Sequence, residues 1–125
     1  MNWYAAHLIL YVKFKEPSQA YFPLWENIVL IQADMEDEAW TKAEQLGRDE
    51  EGDEDGTFRW DDKPATWVFA GVRQLLLCVD PEERPGDGTE VTYSEMEVDS
   101  LAALEQFVSG QPATVRFTAP VQVAQ

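Results

Sequence analysis

The N-terminal third of the chain alternates apolar positions in the manner of β-strands. Every second residue from 4 to 14 is apolar, which is the pattern of a strand that lies on a hydrophobic core. A proline-containing break at 16–19 ends this strand, and residues 24–33 resume the extended pattern. Both segments are also largely apolar on their second face. We therefore predict two adjacent strands joined by a hairpin-type connection.

A helix is predicted directly after the second strand. Asp34 is expected to cap it, and the carboxylates at 36–38 complement the positive end of the helix dipole. Apolar residues recur at helical spacing over 39–46, and Gly47 or Gly52 is expected to end the helix. One stripe of this helix would face the sheet, and the opposite face is acidic.

The second half of the chain predicts a longer buried strand followed by short elements. Residues 65–79 are apolar on both faces, with Gly71 marking a bulge or a close approach. A turn-rich stretch leads into 89–98, for which alternation predicts the return strand of a second hairpin. Ser100 is expected to cap a short helix over 101–108, and 114–118 is predicted to form an edge strand.

This order of elements predicts an α+β fold with a mostly antiparallel sheet. The strands follow the order strand, strand, helix, strand, strand, with one main helix on one face, a short C-terminal helix and a tail strand. We expect a single domain over 1–125, with its core in 3–98 and the short helix and tail in 99–125. Because one helix cannot cover both faces, the C-terminal helix or another subunit must cover the second face, and a homo-oligomer is expected, with a dimer favoured.

The charge of the chain is concentrated in one stretch. Residues 34–62 hold 13 of the 24 acidic residues and only 3 basic ones, a net charge of −10 out of −15. This balance argues against binding to nucleic acid or to an anionic membrane, since both are polyanions, and favours basic proteins or cations as partners. The N-terminus lacks a signal-peptide pattern and the apolar runs are too short to span a bilayer. We therefore expect a soluble, cytoplasmic protein.

Four segments resemble a known family in their order and spacing. They are 3–8 (WYAAHL), 24–31 (LWENIVLI), 38–44 (EAWTKAE) and 87–91 (DGTEV). Together they are similar to the bacterial domain-of-unknown-function family 4288, and the likeness spans residues 3 to about 94. The resemblance implies a compact stand-alone domain, with no activity, cofactor or catalytic residue established for it.

The acidic loop partly matches a calcium-binding loop. The residues that fall on template positions are Glu51, Asp53, Asp55, Gly56 and Asp62. The first and last of these exchange Glu and Asp relative to the template, and Pro64 opposes the exiting helix. A solvated acidic loop is therefore the favoured interpretation, with Asp53, Asp55 and Asp62 as candidates for weak cation binding. No cofactor is expected.

His7 and Cys78 are the only histidine and the only cysteine, so they would form the only conventional nucleophile pair within the chain. Cys78 lies in an apolar run, where a buried, inert thiol in a reducing compartment is the favoured interpretation. A histidine on a partly apolar strand is more often a packed, hydrogen-bonded residue than a base. The chain has no glycine-rich phosphate loop, GxSxG elbow or CxxC pair, which excludes several large enzyme classes.

Two functions from different classes follow. The leading hypothesis is a noncatalytic protein-interaction module, possible forms of which include an immunity-type or inhibitor-like protein. Its partner-binding residues would be Glu50, Glu51, Asp53, Glu54, Asp55 and Trp60, with Trp60 either an exposed anchor or folded back onto its own domain. The alternative is a small enzyme or ligand-binding protein with a pocket around His7. Electrostatic steering by the acidic helix and loop motivates the first.

Overall fold

The computed structural model describes residues 1–118, so residues 119–125 of the predicted tail lie outside it. Contacts divide the chain into two compact units, Met1–Thr92 and Tyr93–Gln125. The first unit holds the predicted sheet and main helix. The second holds the short helix and the tail strand.

A four-stranded antiparallel sheet forms the first unit, which confirms the predicted α+β architecture. The order of its strands is β2-β1-β4-β3. Their bounds are Asn2–Phe14 (β1), Leu24–Ala33 (β2), Arg59–Trp60 (β3) and Lys63–Leu77 (β4). The long central strand β1 therefore pairs with β2 on one edge and with β4 on the other.

Helix α1 (Glu36–Asp49) packs on one face of this sheet through small residues. Ala39, Ala43 and Gly47 are buried against it, over a core that includes Leu8 and Leu10 of β1. Small side chains let the helix backbone approach the sheet closely, and the acidic side of the helix faces away from the core. The predicted carboxylates in the first helical turn are confirmed.

Two predictions about the ends of α1 were wrong. Met35, and not Asp34, occupies the N-cap position and makes no side-chain capping hydrogen bond. Of the two glycines predicted to end the helix, Gly47 lies inside it, where a Cβ atom would stand 2.2 Å from the Phe69 ring, and Gly52 lies beyond the C-cap residue. The helix runs on to Asp49 and is followed by Glu50 at the C-cap.

Strand β4 carries two irregularities where it pairs with β1. His7 pairs with Gln74 but Leu8 pairs with Val72, so Arg73 is an extra residue on β4. A second shift follows at Gly71, whose φ of +147° is a conformation that glycine adopts readily. The predicted bulge is thus confirmed, and it resets the alternation of side chains along β4.

The prediction of a hairpin strand over 89–98 was wrong for most of that range. Residues 80–92 form turns and irregular backbone, and only Met96–Glu97 is a strand. The hairpin onto β4 lies earlier, where β3 turns through Asp61 and Asp62, both in left-handed conformations. Aspartate tolerates this region better than most residues, and the short strand gave no alternation to detect.

The second unit contains β5 (Met96–Glu97), α2 (Leu101–Val108) and β6 (Arg116–Phe117), with β5 and β6 antiparallel. The Ser100 hydroxyl accepts a hydrogen bond from the Ala103 amide at 3.0 Å, which confirms the predicted cap. Arg116 pairs with Glu97 and Asp99, so the predicted tail strand is held by charge as well as by backbone pairing. Neither helix within 1–118 has the length and apolar character needed to cross a membrane.

Candidate functional site

His7 lies at the centre of a polar network on the sheet face opposite α1, and its side chain is 0% exposed. Its Nδ1 atom is 3.2 Å from the Glu26 carboxylate of β2. Its Nε2 atom is 2.5 Å from the Thr92 hydroxyl and 3.0 Å from the Gln74 side-chain amide. The network therefore joins three strands to the segment that ends the first unit.

The partners of His7 determine where its proton lies. A carboxylate only accepts, so Nδ1–H donates to Glu26, while Nε2 accepts from the Thr92 hydroxyl and the Gln74 amide. Burial lowers the pKa of His7, and the hydrogen bond and charge of Glu26 oppose this effect without reversing it. His7 is therefore neutral near pH 7.

Glu26 stays ionised because of Arg73. Partial burial alone would raise the pKa of Glu26, but the hydrogen bond and charge of Arg73, aided by His7, lower it. In an unbroken strand Arg73 and Gln74 would face opposite sides of the sheet. The bulge at Arg73 explains how both side chains reach the same network.

Carboxylate, imidazole and hydroxyl stand here in the order used by hydrolase triads, with Glu26, His7 and Thr92 as the three members. His7, which would be the base in such an arrangement, has no exposed surface, whereas Thr92, which would be the nucleophile, is partly exposed. Gln74 also occupies Nε2. In this geometry the network fastens the segment before Tyr93 to the sheet.

Cys78 is separate from this network. Its Sγ atom lies 3.4 Å from the Val91 carbonyl oxygen and is buried, and burial raises the pKa of the thiol. Within residues 1–118 no hydrogen bond joins it to His7. The structure therefore does not bring the two members of the predicted nucleophile pair together.

Two of the five predicted partner-binding carboxylates have internal roles. Glu51 accepts a hydrogen bond at 2.8 Å from the backbone amide of Phe69 in β4. Asp53 pairs with Lys15 at 2.6 Å and accepts from the Gly56 amide, and both contacts lower the pKa of Asp53. These side chains hold the acidic loop against the sheet.

The other three carboxylates, Glu50, Glu54 and Asp55, belong to exposed residues. None of them forms a side-chain hydrogen bond or an ion pair with any residue of the described chain. Glu54 and Asp55 adopt left-handed conformations in the turn that carries them. Negative charge is thus displayed without internal compensation.

The candidate cation ligands Asp53, Asp55 and Asp62 are not gathered into a site. Across 1–118, no three carboxylate, histidine or cysteine side chains lie close enough to hold a metal ion. Asp53 is turned to Lys15, and the Asp62 carbonyl accepts from Arg59 in the β3–β4 turn. The sequence spacing resembled a calcium loop, but the chain here folds as two separate turns.

Trp60 folds back onto its own unit, which was one of its two predicted arrangements. Its ring meets the Trp25 ring edge to face at 5.4 Å. Trp25 also meets Trp67 at 5.2 Å and 90°, and Trp67 stacks on Phe58 at 5.5 Å. Three strands thus contribute to one aromatic cluster beside the acidic loop.

A cavity of about 280 Å³ opens beside this cluster, and the sequence did not reveal it. Its walls are Leu10, Trp25, Asn27, Glu50 and Trp67. The spacing of Trp25 and Asn27 in the sequence already places them on one face of β2. Their position near Glu50 could not be predicted, because it depends on where α1 ends. Trp25 is 42% exposed, so its ring is accessible from the cavity side.

Fold and surface together define a small α+β domain with a closed histidine network and an open face of tryptophan and carboxylate. The family model described as a domain of unknown function, DUF4288, matches residues 3–94. The chain therefore belongs to this family, as the resemblance of its four segments indicated, and the matched region contains both the network and the cavity. Neither the curated proteins nor the solved structures gave a match.

Proposed function

We propose that this protein is a cytoplasmic, noncatalytic interaction module whose acidic face binds a basic surface of another protein. One observation carries the proposal: Glu50, Glu54 and Asp55 display charge that nothing in the described chain compensates. The most conspicuous catalytic candidate, His7, is enclosed by its own hydrogen bonds. Binding of a basic surface by these carboxylates requires no catalytic residue in the domain.

The distribution of charge supports fast and selective association. A net charge of −10 within residues 34–62 produces a field that attracts a cationic partner before contact. Such complementarity raises the association rate and rejects unsuitable partners more than it adds affinity, and it weakens with salt. An immunity-type or inhibitor-like protein is one form of this function, in which carboxylates take the place of nucleic-acid phosphates before a basic toxin or nuclease.

We also propose that the domain self-associates, with a dimer favoured. Strand β2 is an edge of the sheet, and its residues Leu24, Ile28 and Leu30 are exposed. They pair with Tyr11, His7 and Ala5 and so share the face opposite α1. An unpaired strand edge beside exposed apolar side chains favours pairing with a second copy. Light scattering across a range of protein concentrations would detect it, and a monomer throughout would contradict it.

The test of partner binding compares the wild type with a variant that carries E50Q, E54Q and D55N. These substitutions remove charge but no side-chain hydrogen bond or ion pair within the described chain. The matched control carries E82Q, E83Q and D87N, which removes the same charge from exposed positions outside the acidic stretch. All three proteins serve as bait for capture from native lysate at low and moderate salt.

The proposal predicts that wild type and control retain the same basic protein, that salt weakens its capture, and that the first variant loses it. Equal retention by all three baits would show that the acidic loop is not the recognition surface. Capture of no partner by any of them would refute the interaction module and leave the patch a role in solubility.

The second candidate function is a small enzyme or ligand-binding protein at His7. The order of Glu26, His7 and Thr92 is the observation that favours it. It requires the segment over His7 to open. If a folded His7→Ala variant retains every activity measured for the wild type, this candidate loses its support.

A further inference from the structure

The cavity beside the acidic loop has both apolar and polar walls. Trp25 and Trp67 meet at 90° with their centroids 5.2 Å apart, and the buried side chain of Leu10 also lines the cavity. Asn27 and Glu50 supply its polar atoms. It lies where β1, β2 and β4 meet the end of α1.

The two polar side chains that line this cavity are exposed and have no partner among the described residues. Neither the Glu50 carboxylate nor the Asn27 amide forms a side-chain hydrogen bond with any part of the described chain, and no cation of residues 1–118 pairs with Glu50. The Glu50 carboxylate only accepts hydrogen bonds, whereas the Asn27 amide can both accept and donate them. A ligand that donates hydrogen bonds therefore fits better than one that accepts them.

The aromatic walls specify the ligand further. An indole face attracts a cation through its quadrupole, and tryptophan does so better than the other aromatic residues. A guanidinium group is planar, stacks on aromatic rings and presents a fork of donors to a carboxylate, whereas an ammonium group is a compact and strongly hydrated charge. The pairing of Trp25 or Trp67 with Glu50 suits arginine.

The size and the charged surroundings of the cavity suit a single cationic side chain as its ligand. About 280 Å³ lies just below the range of about 300 to 1,000 Å³ typical of small-molecule pockets. The surrounding stretch of residues 34–62, with its net charge of −10, opposes entry by an anion and favours a cation. Arginine is also among the residues enriched at the centres of protein interfaces.

We propose that this cavity receives an arginine side chain of the partner protein, with its guanidinium on the indole rings and paired with Glu50. The inference rests on the proposed interaction function and adds the residue that the partner must present. Long-range attraction then comes from Glu54 and Asp55, and the final position from the cavity.

The test is an NMR titration that follows the indole N–H signals of the five tryptophans. The probe is N-acetyl-arginine amide, and the neutral isostere N-acetyl-citrulline amide is its control. Three proteins are compared: wild type, Glu50→Gln and the matched variant Glu54→Gln, which removes the same charge outside the cavity. Both substituted side chains are exposed and form no hydrogen bond or ion pair within residues 1–118, so the fold should be unchanged.

The expected result is a saturable shift of the Trp25 and Trp67 signals by the arginine probe in wild type and Glu54→Gln. In Glu50→Gln the affinity should fall by about fivefold, the scale of one lost, solvent-exposed ion pair. The citrulline probe should cause no such shift. Absent or non-saturable shifts, equal shifts with citrulline, or equal weakening in the two variants would overturn the inference.

Failure here differs from failure of the proposed function. If Glu50→Gln still captures the partner while the E50Q, E54Q, D55N variant does not, the acidic face binds proteins without the arginine site. If the titration succeeds but the triple variant captures the partner as well as wild type does, the cavity binds guanidinium and the acidic-face interaction is refuted.

Discussion

The contact between Gly47 and Phe69 allows a sharp prediction about how the main helix is held to the sheet. A Cβ atom at Gly47 would lie 2.2 Å from Cε1 of Phe69 and 2.5 Å from two further ring atoms. Ordinary contact begins near 3.4 Å, so either the ring or the helix must move by roughly 1 Å. Phe69 packs against the core beneath α1, which resists this movement.

Two opposing effects determine how much Gly47→Ala changes the free energy of unfolding. Overpacking of this kind costs about 1 to 3 kcal/mol, and swinging the ring into solvent would forfeit burial of about the same size. Replacement of a glycine by alanine within a helix recovers about 1 kcal/mol. We therefore expect Gly47→Ala to lower the free energy of unfolding by about 1 kcal/mol.

The measurement is urea unfolding followed by tryptophan fluorescence, in wild type, Gly47→Ala, Phe69→Leu and the double variant. In the Phe69→Leu background the ring is absent, so Gly47→Ala should raise the free energy of unfolding there instead of lowering it. The double-mutant cycle isolates this coupling because both substitutions act on one contact. If Gly47→Ala stabilises the wild-type background as much as the Phe69→Leu one, the argument from this contact is refuted.

Three further predictions concern individual side chains. Burial lowers the pKa of His7 from its ordinary value of 6.5, so the unfolded chain takes up this proton first as the pH falls. Relative to His7→Gln, the wild type should lose stability below about pH 6.5, by at most about 1.4 kcal/mol per pH unit, and parallel curves would contradict this. Burial and the raised pKa of Cys78 should make its reaction with a thiol reagent on the order of 100-fold slower in the native protein than in denaturant; equal rates would contradict this. Ser100→Ala should cost about 1 kcal/mol in the stability of α2 and speed amide exchange over 101–108, with the β1 amides as the unchanged control.

Regular alternation made the central parts of the fold predictable from sequence. The positions of β1 and β2 followed from residues that recur every second place, and the first-turn carboxylates predicted α1. Gly47 shows why its end was not predictable. A glycine near the end of a helical pattern usually marks a stop, but here a ring from a distant strand requires the missing side chain.

The candidate site was only partly visible for the same reason. The concentration of charge follows directly from the sequence. The sequence does not distinguish the carboxylates with internal partners from the free ones, because the partners lie far away in the chain: Phe69 for Glu51 and Lys15 for Asp53. To predict the cavity that Glu50 lines, one must know both the register in which the strands pair and the residue at which α1 ends. In 89–92, alternation indicated a strand, whereas Thr92 contacts His7 across the sheet face.

The central place of β1 has a consequence for folding during synthesis. β2 follows β1 closely in the chain, but β4 begins only at Lys63, so one edge of β1 stays unpaired while the intervening residues are made. An apolar strand with a free edge is a template for aggregation between nascent chains. The residues synthesised in this interval are those of the acidic stretch, and like charge of this kind opposes association between chains. Neutralising this stretch should therefore lower the soluble yield on translation more than it lowers the stability of the folded domain.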